Sequence, residues 1–346
     1  MPKARTVRRK RAPKATRKPR RRRRKKPKKV KKKIRPKKEK VQKKIREVGL
    51  PKEVLKLLPL TPPRGFKLMF GPAGRPVVYK GDVEDAPAFI REELCLDAFE
   101  VQQVRQITLN EERSRVLGDN AAKHNIVLSV HAPYAVNLLS ESKDKIEASI
   151  NRLIMTARIA NWCGAGIVVF HPGYYGKVSP DSAVGLVLEN LAPVVDAIRS
   201  EKMNVYLGPE TMGKKSQFGA LDELIEVAKE YPEVRIVFDV AHIHAREGGS
   251  LMTYESYDRL FGRVESELGS RYIRRLHIHF TEVEYGEKGE IRHLVLGSGT
   301  GPALDPLLEW LIENDVEAVI ISESPILEAD AIKMKHRAIE LFRRKH

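Results

Sequence analysis

Eight short apolar runs, spaced along the chain, constrain its fold more than any other feature. They are FKLMF at 66, DAFEVQQV at 97, IVLSV at 126, GIVVF at 166, VYL at 205, RIVF at 235, IRRLHIHF at 273 and AVIIS at 318. Most are unbroken rather than alternating, the pattern of strands covered on both faces. Helical stretches lie between them. In KIEASINRLIMTARIANWCG the residues Ile146, Ile150, Leu153, Ile154 and Ala157 recur three or four apart, and Gly164 supplies a stop. Val184, Val187, Leu191, Val194 and Ile198 repeat that spacing, as do Leu221, Leu224, Ile225 and Ala228, and DPLLEWLIEND repeats it again. Eight strands alternating with helices predict an α/β fold of the parallel (β/α)8 TIM-barrel type, with a doubly wound open sheet as the alternative.

A barrel gathers its functional side chains where the strands end and the βα loops begin. His131 follows LSV, His171 follows VVF, Glu210 follows YLGP, Asp239 follows IVF, His277 follows RRL and Glu323 follows IIS. Carboxylates crowded at a barrel mouth repel one another and desolvate unfavourably unless a cation compensates them. Imidazole mixed with carboxylate and no thiolate suits Zn2+ or Mn2+. His242, His244, His279 and His293 add further donors on the sixth and seventh loops. A tetrahedral zinc takes four ligands, so the candidates exceed one site.

Charge divides the chain in two. Residues 1–46 hold 28 Lys or Arg and one acid, Glu39, while the remaining 300 hold 36 basic and 44 acidic residues. The arm offers almost nothing to bury and repels itself, so disorder is expected, and its natural partner is a polyanion such as nucleic-acid phosphate. PKEVLKLLPLTPPRG, from 51 to 65, reads as a short helix closed by a proline-rich connector. The expected layout is an arm over 1–46, a connector over 47–65 and a barrel over 66–346. No run of eighteen apolar residues occurs, so no membrane span is expected. Two cysteines, Cys95 and Cys163, in no metal-binding spacing, point away from a disulfide framework and towards a reducing cytoplasm.

The blocks SVHAPYAVNL, VVFHPG, GPET, FDVAH, LHIHF, RHLVLGSGTG and ISESP, in order over roughly 66 to 330, resemble endonuclease IV. That is the trinuclear-zinc family that cuts DNA beside abasic sites, within the xylose-isomerase-like barrels. The resemblance implies one zinc on His131, His171 and a bridging Glu210, and a second on Glu210, Asp239, His277 and Glu323. It implies a third on His242 and an Asp-x-His pair whose histidine is His293. Here the chain departs from the family, with Ile291 two places before His293, leaving Glu290, Glu284, His244 or His279 to take that place, or the third ion weak or absent. The family's LGEG is LGSG here, with Ser298 in the acidic position.

The implied activity is cleavage of damaged double-stranded DNA 5′ to abasic sites by a metal-bridged hydroxide, with Glu210 as bridge and Glu323 orienting the nucleophile. Tyr134 and Asn137 match family positions near the substrate. Lys214 and Lys215 are candidates for the DNA backbone, and GSGTG at 297–301 is either a phosphate cradle or a tight turn. A nucleoid-associated monomer is expected. The rival readings are a one-metal sugar isomerase or epimerase, and a catalytically silent nucleic-acid-binding barrel.

Overall fold

Each of the eight apolar runs forms a strand in the computed structural model, which describes residues 49–346. The expectations for the basic arm, 1–46, lie outside the described residues. The strands are β1 (Leu68–Pro72), β2 (Ala98–Gln102), β3 (Val127–His131), β4 (Ile167–Phe170), β5 (Tyr206–Pro209), β6 (Val237–Asp239) and β7 (Arg275–Phe280). A hairpin follows, β8 (Glu282–Gly286) and β9 (Gly289–Leu294), and then the eighth barrel strand, β10 (Glu317–Ser322).

The barrel strands pair in parallel as β1-β10-β7-β6 and as β2-β3-β4-β5. Parallel bridges from Ala73 to Glu100 and from Glu210 to Val237 join the two sets into a closed ring. Gly71 makes the first seam tight, because a Cβ there would lie 2.0 Å from the Ala98 carbonyl oxygen. Along each strand alternate residues face outward into the layer under the helices, among them Phe99, Val130, Phe170, Phe238, Ile278 and Ile320. The inward set includes Glu100, Ser129, His131, Asp239, His277 and His279, so the interior is polar towards the carboxyl ends of the strands.

The predicted helices appear as Lys143–Cys163, Pro180–Ser200, Leu221–Glu230 and Leu304–Glu313, the first stopped by left-handed Gly164. The short helix before the barrel is Lys52–Leu55. Helices Glu111–His124 and Glu328–Lys345 join them, the last with an apolar stripe of Ala331, Ile332, Met334, Ala338, Ile339, Leu341 and Phe342. The first buries only Ser114, Leu117 and Ala121, and it is held by an Asn110 side-chain cap and a left-handed Asn125. The last buries charged residues that are all paired. Glu328 accepts the Val77 and Val78 amides, Asp330 accepts the Leu296 amide, and Lys335 donates to Asp97 and the Cys95 carbonyl. This helix therefore covers the barrel with its apolar face and also ties down neighbouring connections through its buried charges.

Candidate metal centre

FDVAHIH illustrates how a strand end becomes a site. Asp239 ends β6 and caps the helix Val240–Arg246, its Oδ1 accepting the His242 amide at 2.7 Å. The first helical turn then carries His242 back towards Asp239, with His242 Nδ1 3.5 Å from Asp239 Oδ2. His131, Glu210 and Glu323 sit at or just beyond the ends of β3, β5 and β10, and His171 just beyond β4.

These ends converge on Glu210. His131 Nε2 lies 3.4 Å and His171 Nε2 3.2 Å from its Oε2, while His242 Nδ1 lies 3.1 Å from its Oε1. Four groups of donors among the described residues are close enough to hold a cation. Three lie at the mouth: His131, His171 and Glu210; Glu210, Asp239, His279 and Glu323; and Asp239, His242 and His293. The fourth, Glu100, His277 and His279, lies deeper in the barrel. Burial leaves five of their atoms without a hydrogen-bond partner: His131 Nε2, both Glu210 oxygens, Asp239 Oδ2 and His279 Nδ1. Buried polar atoms are normally satisfied, and five orphans aimed at one point fit the lone pairs that a cation takes up.

The opposite nitrogens of the histidines are engaged. His131 Nδ1 meets the Ala132 carbonyl at 2.7 Å and His293 Nδ1 the Glu323 carbonyl at 3.1 Å. His242 Nδ1 meets the Thr211 carbonyl at 2.9 Å as well as facing Glu210, which leaves its Nε2, 3.3 Å from Glu290 Oε2, to offer a lone pair. Such partners fix which nitrogen presents its lone pair to the centre. Charge is strained without a cation. Burial, reinforced by Glu210 and Glu323 against the pull of His242, pushes Asp239 up to about 7. Burial also works against ionisation of Glu210, yet His171, His279 and His131 hold it well below the usual carboxylate range. Burial would lower His242 and His279, but the surrounding acids hold both well above the ordinary imidazole value.

One expected ligand is displaced. His277 and His279 share the inward face of β7, but His279 lies at the mouth, its Nδ1 3.3 Å from Glu323 Oε1 and 3.7 Å from Glu210 Oε1. His277 lies one layer deeper, its Nε2 3.2 Å from Glu100 Oε2, and takes no part in the group around Glu210. Sequence order marked the β7 face correctly and the wrong storey. A side chain two residues nearer the strand's end was the available signal, since the other five candidates also stand at or beyond their strand ends.

The Ile291 departure has a structural answer. In the hairpin Glu284 pairs with Arg292 while Tyr285 pairs with Glu290, so Ile291 is the extra residue of a β-bulge and is 59% exposed. The bulge resets the face by one residue, so that Glu290 and His293, three apart, both turn to the centre where an unbulged strand would need a spacing of two. Glu290 Oε2 lies 3.3 Å from His242 Nε2, and its Oε1 3.6 Å from His293 Nε2. Burial would raise Glu290, but the hydrogen bond and charge of His242, with His293, outweigh it and bring its carboxyl down to about 2.

The hairpin is docked by Gly289, which has φ +96° and sits where a Cβ would fall 2.0 Å from the Gly213 carbonyl oxygen. Gly289→Ala is expected to lift the hairpin and weaken cation binding at His242 and His293, leaving the group around His131 and His171 intact. Metal titration of the variant checks this, and unaltered uptake of every ion would contradict it.

The other candidates separate. His244 turns away, accepting the Leu251 amide at 3.0 Å and meeting the Thr300 carbonyl at 3.1 Å. Glu284 pairs with Arg292 on the outside of the hairpin. Asn137 is internal: its Oδ1 accepts the Leu139 and Tyr174 amides, so it ties loops together and its carbonyl oxygen is not turned to a ligand. GSGTG precedes the helix Leu304–Glu313, and its amides are already taken, because the Glu282 carboxylate accepts Gly297, Gly299 and Thr300. That loop is a turn wrapped around an acid, whose negative charge already takes the amides of Gly297, Gly299 and Thr300. Tyr134 is 54% exposed and stacks on His171 with centroids 5.0 Å apart. With Lys214, Glu290 and His293 it lines a cleft of about 260 Å3 above the donors. Lys215 is exposed nearby.

The model of the xylose isomerase-like TIM barrel family matches residues 92–344. The chain belongs to that family. Among relatives of this xylose isomerase-like barrel, an uncharacterized protein of Methanocaldococcus jannaschii is 35% identical over 269 residues, covering 78% of this chain and 96% of the relative. A probable endonuclease 4 of Ureaplasma parvum is 29% identical over 186 residues, covering 51% of this chain and 59% of its own length. Among solved structures, a D-tagatose 3-epimerase-like protein aligns with a TM-score of 0.58 at 20% identity, covering 72% of this chain and 91% of that one, a likeness of fold. No helix among the described residues is long and apolar enough to cross a membrane.

Proposed function

We propose that this protein is a metal-dependent phosphodiester hydrolase that cuts double-stranded DNA on the 5′ side of abasic sites, in base excision repair, using two or three Zn2+ ions or Mn2+ in their place. The observation that carries this reading is the number of linked donor groups, since two sets share Glu210 and a third joins them through Asp239. A sugar isomerase working with one ion needs only Glu210, Asp239, His279 and Glu323 and has no duty for His131, His171, His242 and His293. When bound, divalent cations supply a water acidified towards a pKa of roughly 7 and offset charge on the phosphoryl oxygens.

The chain's own residues do the remainder. Glu210 bridges the donor sets, and His131 and His171 hold one side of it. Asp239, His279 and Glu323 hold the other, while Glu290 takes the place of the family's aspartate beside His242 and His293. Glu323 Oε1, at the rim, orients the attacking water. Tyr134, flat on His171 and open to solvent, offers an aromatic face to a gap in the base stack. Lys214 lies beside the cleft and suits a backbone phosphate, with Lys215 next to it.

The alternative is a single-metal sugar isomerase or epimerase, favoured by the same four-residue set and the epimerase-like fold neighbour. Nicking of a duplex carrying one tetrahydrofuran abasic analogue, together with metal content of the same sample, separates the readings. Two or three equivalents with incision 5′ to the lesion support the hydrolase. One equivalent with ketose turnover and no incision supports the isomerase, and a metal-free inactive protein supports a silent DNA-binding barrel.

The arm, 1–46, is assigned to sequence-independent binding of phosphates. Its deletion is expected to weaken duplex binding and to reduce the log-log salt slope by about 0.9 for every phosphate the arm neutralises, leaving metal content unchanged. Equal binding and slope in the truncated chain would remove the arm from the DNA interface.

A further inference from the structure

Behind the mouth, β2 supplies a fully buried carboxylate that no strand-end argument identifies. Glu100 is 0% exposed, and its Oε2 lies 3.1 Å from His279 Nε2 and 3.2 Å from His277 Nε2. Ser129 Oγ donates to the same oxygen at 2.9 Å, and Gln102 Nε2 donates to Oε1 at 2.9 Å. An ionised carboxylate can only accept, so the nitrogens facing it carry protons. His279 therefore holds its proton at Nε2, and its Nδ1 lone pair is left turned to Glu323 and Glu210, which is the buried atom without a partner. Register explains the arrangement: β7 places His277 and His279 on one face two residues apart, and Glu100 fills the space between them from across the barrel.

We infer that Glu100 is a positioning residue: it selects the tautomer of His279 and holds that imidazole's Nδ1 in the metal centre. The inference rests on the reading of His279 as a metal ligand. Glu100, His277 and His279 are themselves close enough to hold a cation. Their facing atoms, however, satisfy one another, whereas every orphaned atom of His279, Glu210 and Asp239 belongs to the layer above. His277 is a second donor that anchors the carboxylate. A negatively charged acceptor behind a ligating imidazole also raises the basicity of the nitrogen facing the metal.

The experiment is Zn2+ titration of the full-length apoprotein against a chelator, with the visible absorption spectrum of the Co2+-substituted protein as a second readout. Glu100→Gln keeps the shape and removes the charge. It is expected to weaken one ion by about 10- to 100-fold, to shift the Co2+ bands, and to leave the number of ions at saturation unchanged. Unchanged affinity and spectrum would overturn the assignment, and so would loss of a whole equivalent at saturating metal, which would make Glu100 a ligand of a further ion. Should Glu100→Gln fail to fold, Glu100→Asp withdraws the carboxylate from His279 while keeping its charge, and wild-type affinity in that variant would overturn the assignment equally. A wild-type protein that takes up no metal would instead sink the hydrolase reading.

Discussion

Glu210→Gln is expected to abolish incision and to cost more metal affinity than the about 10- to 100-fold typical of losing an outer partner. Glu210 belongs to two of the donor groups and lies within 3.7 Å of His131, His171, His242 and His279, so one amide disables the whole centre. Gln retains the volume, which makes the variant a test of charge and coordination, with packing held constant. Rates on the abasic duplex, metal equivalents and a thermal melt of the same preparation decide it. Incision within tenfold of wild type in a variant that has lost metal would separate the cleavage from this cluster altogether.

Removing the metal should have the second largest effect. Each ion held at a free concentration about 1,000-fold above its Kd adds about 4 kcal/mol to the folded state. For a domain of this size, 1 kcal/mol moves the melting temperature by about 2–4 °C, so chelation is expected to lower it by roughly 10 °C for one such ion. The gap should widen with pH. Asp239 is raised to about 7 by burial, and His242 and His279 are raised by their acidic neighbours.

For groups raised in the folded state, the associated stability is complete at low pH and disappears as pH climbs through the folded value. The apoprotein therefore weakens from about pH 4 through 7 as Asp239 ionises, and further above about pH 6.5 as His242 and His279 lose their protons. Over the same window ligand protons cease to compete with the cation, so the loaded protein gains. Melting curves at pH 6, 7 and 8 with and without Zn2+ check both halves. A gap that narrows as pH rises would show that these groups do not bind the ion.

Much of this was legible before folding. The eight runs place every barrel strand, and five of the six strand-end residues, His131, His171, Glu210, Asp239 and Glu323, reach the centre. Periodicity is local, and an unbroken apolar run followed by a polar residue carries that information within ten residues. The helix Glu111–His124 escaped because only three of its side chains are buried, too few to form a stripe. Glu100 escaped because it sits inside a strand, among Phe99 and Val101, where nothing marks a charged residue as inward.

The sequence by itself determined the strand order's raw material, the acids and imidazoles available to the mouth, and the missing aspartate at 291. Only the tertiary structure decided that His279 and not His277 reaches the centre, because residues two apart share a face and their depth depends on how the strands stagger when the ring closes. It alone placed Glu290 beside His242 and His293. That outcome rests on one bulge at Ile291 and on Gly289 lying flat against Gly213, a contact between segments some 76 residues apart that no local pattern encodes.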